Sequence, residues 1–180
     1  MNLKMLSWNV RGLNEVEKRL QIRNLLHAWR PDIVCLQETK LEWITGGIVR
    51  SIWSYPYVDW LYLRLEGVFG GIVLMCDRRA VEKVEEAVGH FFVSCKFKNV
   101  DQFEWAFTGL YGPNLNKRHR KMWEELIGLI SWCDVPWCLG GDLNIIRFPS
   151  ERLGVASCTW AMNGFYNFIS FHGLMDVPME

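Results

Sequence analysis

The feature that most constrains this chain is a set of short apolar runs, each of which ends abruptly in a polar motif. Leu3–Trp8 runs into Asn9-Val10-Arg11-Gly12-Leu13. Ile33–Leu36 runs into Gln37-Glu38-Thr39-Lys40. Trp105–Tyr111 is closed by Gly112-Pro113-Asn114, and Pro136–Leu139 passes into Gly140-Gly141-Asp142-Leu143-Asn144. Continuous apolar runs of four to eight residues, bounded by turn formers, read as buried strands. The first of them, Leu3–Trp8, is expected to be buried on both faces.

Between the first two runs the period changes. Ile22, Leu25, Leu26 and Trp29 recur at helical spacing from Glu17 onward, and Pro31 stops the helix. Strand–helix–strand over so few residues signals an α/β domain. The middle of the chain is richer in strands. Tyr55–Leu65, Ile72–Met75, and Val81–Val88 with Phe91–Phe97 across a Gly89-His90 turn all read as strands. A second helix fits Lys117–Trp132, with Trp123, Leu126, Ile127 and Ile130 on one face. A last helix fits Thr159–Phe171, with Met162, Phe165, Tyr166 and Ile169 aligned and Gly173 at its end. No repeat, linker or low-complexity segment interrupts residues 1–180, which are expected to form a single domain of two packed sheets with helices.

Composition narrows the partners. Half of the residues are hydrophobic, enough for a sizeable core. The formal net charge is zero, so a strong basic field for nucleic acid is absent. Cys35, Cys76, Cys95, Cys133, Cys138 and Cys158 include no C-x-x-C pair. They read as reduced, mostly buried thiols of an intracellular protein. Residues 1–8 resemble no signal peptide, and no apolar run has membrane-spanning length. A soluble monomer of nucleus or cytoplasm, with no membrane and no protein partner, is expected. The run Lys117-Arg118-His119-Arg120-Lys121 reads as the solvated start of the second helix, with phosphate contact as the other reading.

The polar motifs carry the chemistry. Glu38 and Asp142 supply carboxylates, Asn9, Asn114 and Asn144 supply amides, and Tyr111 supplies a hydroxyl. A hard cation wants carboxylate oxygen and keeps several waters. A carboxylate can also hold or deprotonate an attacking water. Neutral amide and hydroxyl donors stabilise charge on phosphorus without competing for the cation. Taken singly, each motif reads as well as a strand end or a turn, because Asp, Asn, Gly and Pro favour turns. Four in this order carry more weight than any one.

Those motifs resemble the endonuclease/exonuclease/phosphatase superfamily, and in particular the endonuclease domain of plant LINE-type non-LTR retrotransposons. Segments 6–14, 30–41, 70–79, 109–114, 136–154 and 168–178 are all similar to that family's text. The resemblance implies a four-layer α/β sandwich of two mixed β-sheets flanked by helices. It also implies Mg²⁺, or Mn²⁺, and hydrolysis of a DNA phosphodiester by an activated water. By position, Glu38 resembles the metal ligand, and Asn9 would lie beside the metal and the scissile phosphate. Tyr111 resembles the tyrosine on the phosphate, and Asn114 a neighbouring polar position. Asp142 resembles the carboxylate that orients or deprotonates the water, and Asn144 the amide that holds that carboxylate and the phosphate.

Two departures qualify that picture. Base-repair members carry Asp where this chain has Arg11, which reads either as a phosphate contact in place of a metal ligand or, equally well, as a surface arginine. Family members also continue into further strands and a Ser-Asp-His motif that supplies a catalytic His. None of His27, His90, His119 and His172 matches it, so the chain is expected to lack the C-terminal part of the sandwich. Marginal stability and little or no nuclease activity follow as expectations. The competing readings are a non-catalytic retroelement remnant that binds metal or nucleic acid weakly, and a phosphatase or phospholipase of the same superfamily.

Overall fold

The computed structural model describes residues 3–65 and 70–178. They divide into two compact units: Met1–Tyr111 with Trp132–Asp142, and Gly112–Ser131 with Leu143–Glu180.

The first unit holds eight strands in two sheets. β1 (Met5–Asn9), β2 (Ile33–Gln37), β3 (Val58–Leu63) and β4 (Ile72–Asp77) form one sheet in the order β1-β2-β4-β3. β5 (Val81–Val88), β6 (Phe92–Asn99), β7 (Glu104–Tyr111) and β8 (Trp137–Asp142) form the other, in that order. Each sheet is mixed. β1 runs parallel to β2 and β7 parallel to β8, whereas the remaining pairs are antiparallel.

Strand periodicity builds two cores from one sheet. On β2, Val34 and Leu36 point to one face, and Ile33 and Cys35 to the other. On β4, Val73 and Met75 share the first face, and Ile72, Leu74 and Cys76 the second. The first face is covered by α1 (Val16–Trp29), through Ile22 and Leu26, and by α2 (Gly46–Ile52), through Val49 and Ile52. The second packs on Val93, Cys95, Phe97 and Phe107 of the other sheet. Being covered on both sides is why β2 and β4 are apolar throughout. At Gly109 of β7 the sheets approach so closely that a Cβ would lie 2.3 Å from the Cys35 sulfur.

The second unit contains α3 (Asn116–Trp132), all but its last residue, and α4 (Trp160–Phe171). Trp123 of α3 stacks on Phe165 and Phe168 of α4, with ring centroids 5.6 and 5.1 Å apart. Thr159 caps α4 by accepting the Met162 N–H at 3.2 Å.

Several expectations need correction. β1 is not buried on both faces. It is the edge strand of its sheet, and Met5 is 39% exposed. Trp29 leaves the apolar stripe of α1 at 47% exposed and leans on Trp8. On α3 the buried hydrophobic residues are Met122, Trp123, Leu126 and Leu129, and Ile127 is 51% exposed. On α4 Phe168 is buried where Tyr166 was expected. The six cysteines are free thiols, but only Cys35, Cys76 and Cys95 are buried. The basic run is not wholly solvated, because His119 is fully buried. Among the described residues no helix is long and apolar enough to cross a membrane.

Candidate active site

Parallel pairing sets the geometry of the first unit's polar groups. Because β1 and β2 are parallel, Asn9 at the end of β1 is level with Gln37, and Glu38 follows directly. Because β7 and β8 are parallel, Tyr111 is level with Asp142. Open α/β sheets gather ligand groups at the carboxyl ends of such strands. The two ends are joined across the sheets: the Asn9 Nδ2 donates to Asp142 Oδ2 at 2.8 Å. The Arg11 N–H donates to Asn9 Oδ1 at 3.1 Å. That bond leaves the amide nitrogen to face the carboxylate, which fixes the orientation of both groups.

Glu38 stands in a strained loop. It and Lys40 both adopt left-handed backbone, at φ 56° and 55°. Such conformations in residues other than glycine persist where surrounding contacts enforce them, and they gather at functional sites. Four backbone bonds do so here. Gly12 and Leu13 donate to the Glu38 and Thr39 carbonyls, and Thr39 and Lys40 donate to those of Gly71 and Gly70. The Glu38 side chain is only 15% exposed, and its Oε1 lies 3.1 Å from the Lys40 ammonium.

Arg11 is exposed, at φ 53°, on the rim of a cavity of about 430 Å³. Trp8, Asn9, Lys18, Gln21 and Leu25 also line it. Beneath the strand ends, the Gln37 side chain donates to Ser7 Oγ at 2.8 Å and to the Cys35 sulfur at 3.2 Å. Burial pushes the Cys35 thiol up to about 12, with the Gln37 bond opposing it, so this sulfur stays protonated and inert.

Among the described residues no three His, Cys, Asp or Glu side chains cluster as a ready cage. A hard cation such as Mg²⁺ needs no such cage, since one or two carboxylates hold it and water and substrate oxygen do the rest, and the part-buried Glu38 carboxylate is of that chemical type.

The other two expected residues lie in the second unit. Asn144 adopts φ 52° and donates from Nδ2 to the Gly112 carbonyl at 2.7 Å. Gly112 has no room for a side chain, since a Cβ would lie 2.0 Å from the Leu143 carbonyl oxygen. Asn114 is exposed. Sequence reasoning missed His119, whose Nε2 lies 3.2 Å from that same Leu143 carbonyl and whose Nδ1 is buried without a partner. The signal was present: His119 precedes Met122, Trp123 and Leu126 by three, four and seven residues, on the apolar stripe of α3.

Residues 6–173 match the model of the Endonuclease/Exonuclease/phosphatase family. An exodeoxyribonuclease of Bacillus subtilis is 29% identical over 157 residues, 79% of this chain and 59% of that protein. The DNA repair nuclease APEX1 of Danio rerio is 25% identical over 159 residues, 80% of this chain and 49% of that protein. The chain thus spans about half the length of these relatives. Among solved structures, the AP endonuclease of Leishmania major superposes with a TM-score of 0.66 at 17% identity, over 93% of this chain and 66% of that one. A 3' phosphatase from Neisseria, bound to product DNA hairpin, gives 0.68 at 15% identity, over 94% of this chain and 71% of that one. The structural likenesses show the fold, with its two mixed sheets and helices. With the family model matched over most of its length, the chain belongs to the endonuclease/exonuclease/phosphatase family.

Proposed function

We propose that this chain is a Mg²⁺-dependent phosphodiesterase domain acting on DNA, of the kind that plant LINE-type retrotransposons use to nick their target. The observation that carries the reading is the Asn9–Asp142 hydrogen bond, which makes the polar ends of two sheets one constellation beside Glu38. The nuclease names of the relatives favour DNA as the substrate. The plant retroelement reading rests on the text of the motifs, including Arg11.

Glu38 holds the cation, with Mn²⁺ as a substitute for Mg²⁺. When bound, the metal neutralises charge on the phosphate and its leaving oxygen. Asp142, held in plane by Asn9, orients the attacking water and takes its proton. Tyr111 donates to the phosphate, and Arg11 meets a flanking phosphate. For Asn114 and Asn144 the reading rests on the motif match alone. We further propose slow turnover by this chain on its own. The catalytic His of the family's Ser-Asp-His motif has no match among His27, His90, His119 and His172.

Nicking of supercoiled plasmid with Mg²⁺, enzyme in excess, tests both parts. The expected result is slow nicking that EDTA, Glu38→Gln and Asp142→Asn each abolish. Nicking that survives both substitutions would overturn the site. Fast nicking that both abolish would keep the site and overturn the claim of slow turnover.

A further inference from the structure

We propose that Lys40 is the resident counter-ion of Glu38: its ammonium neutralises the carboxylate until a divalent cation displaces it, and so sets how tightly the site takes metal. The proposal rests on the reading of Glu38 as the metal ligand.

A carboxylate that is only 15% exposed needs a partner for its charge. The ammonium of Lys40, 3.1 Å from Oε1, supplies one. The backbone cannot rearrange to break this pair. Residues 38–40 are bonded on one side to Gly12 and Leu13 and on the other to Gly70 and Gly71. The Lys40 side chain can. It is 36% exposed, and its stem runs across Gly12, with Cδ 3.4 Å from where a Cβ would stand there. A lysine makes a single-point contact on a flexible stem, unlike the two-point fork of an arginine, so rotation of the side chain releases it into water. A doubly charged hard cation binds carboxylate oxygen more strongly than an ammonium does, yet it must first displace the one that is there. Without a metal the pair keeps the carboxylate compensated. With one, the same positive charge opposes entry.

Removing the ammonium therefore tightens metal binding, where loss of a structural salt bridge would leave it unchanged or weaken it. The test is titration of the full 180-residue chain with Mg²⁺ and with Mn²⁺, without DNA, by calorimetry and tryptophan fluorescence. Lys40→Met is expected to bind both ions about three- to tenfold more tightly than the parent, the range of a part-exposed ion pair plus like-charge repulsion. Lys40→Arg, which keeps the charge and adds a two-point fork, should bind no more tightly than the parent. Arg23→Met, the same charge change at an exposed position of α1, is the control and should stay within about twofold of the parent. Circular dichroism melts establish that each variant is folded. An affinity in Lys40→Met equal to or weaker than the parent's, with Glu38→Gln abolishing binding, would overturn this proposal alone. Metal binding that persists undiminished in Glu38→Gln, or that is absent from every protein, would overturn it together with the assignment of Glu38.

Discussion

Six described residues other than glycine have positive φ, and Arg11, Glu38, Lys40 and Asn144 of these belong to the polar motifs at the strand ends. Backbone strain of about 1–3 kcal/mol per residue is tolerated where the surroundings enforce it. From the sequence, Asn9, Glu38, Tyr111 and Asp142 could be picked by the order of the motifs. Lys40 and His119 were not legible there. The pairing of Lys40 with Glu38 depends on left-handed backbone on either side of Thr39, and His119 is masked by the cations around it. Thiol chemistry gives a prediction at this scale. Cys158 is exposed, whereas burial pushes Cys76 up to about 12 and raises Cys95 still further. A disulfide-exchange reagent should label Cys158 within minutes in the native protein, and Cys35, Cys76 and Cys95 only on unfolding. A second prediction concerns Asp77, whose carboxyl is held below its ordinary value, first by hydrogen bonds from the Arg79 guanidinium. Because the folded value is depressed, the stabilisation is complete above the unfolded value of about 4. It is lost as pH falls through the folded value. Asp77→Asn should cost about 0.5–1 kcal/mol at neutral pH, a modest figure because Arg79 is largely exposed, and the gap should narrow in urea melts as pH falls below the unfolded value.

Among the elements, β2 and β4 were readable because burial on both faces writes itself as continuous apolar text. α2 was not, because seven residues opening on Gly46-Gly47 are too few to show a helical period. The burial of β1 was overestimated because apolar composition cannot tell an edge strand from a central one. The two later helices were placed well, but their buried faces lie slightly rotated from the expected ones. Stability measurements separate the two accounts of α3. Trp123→Ala should cost about 3–5 kcal/mol, since its ring stacks on two aromatics of α4. Ile127→Ala should cost less than about 1 kcal/mol because Ile127 faces water. His119→Ala, which leaves a cavity and removes the partner of the Leu143 carbonyl, should cost about 1–3 kcal/mol. Neighbouring Arg120→Ala, which removes an exposed pair with Glu124, should cost no more than about 0.5 kcal/mol.

For the whole molecule, a family fold is combined with a formal charge of zero. A domain without a basic field cannot rely on counterion release for affinity. Binding to non-specific duplex DNA without metal should therefore be weaker than about 10 μM at ~150 mM salt, with a shallow salt slope, in fluorescence anisotropy. The proposed function accordingly assigns recognition to the few groups around Asn9, Arg11 and Glu38, and catalysis to their acting together. The double-mutant cycle of Asn9→Ala and Asp142→Ala on the plasmid-nicking rate, with enzyme in excess, tests that most directly. If the hydrogen bond between them makes one catalytic unit of the two sheet ends, each single change should cost about a hundredfold or more. The double change should then cost little beyond the worse single one. Losses that simply multiply, or a rate that neither substitution alters, would contradict the account.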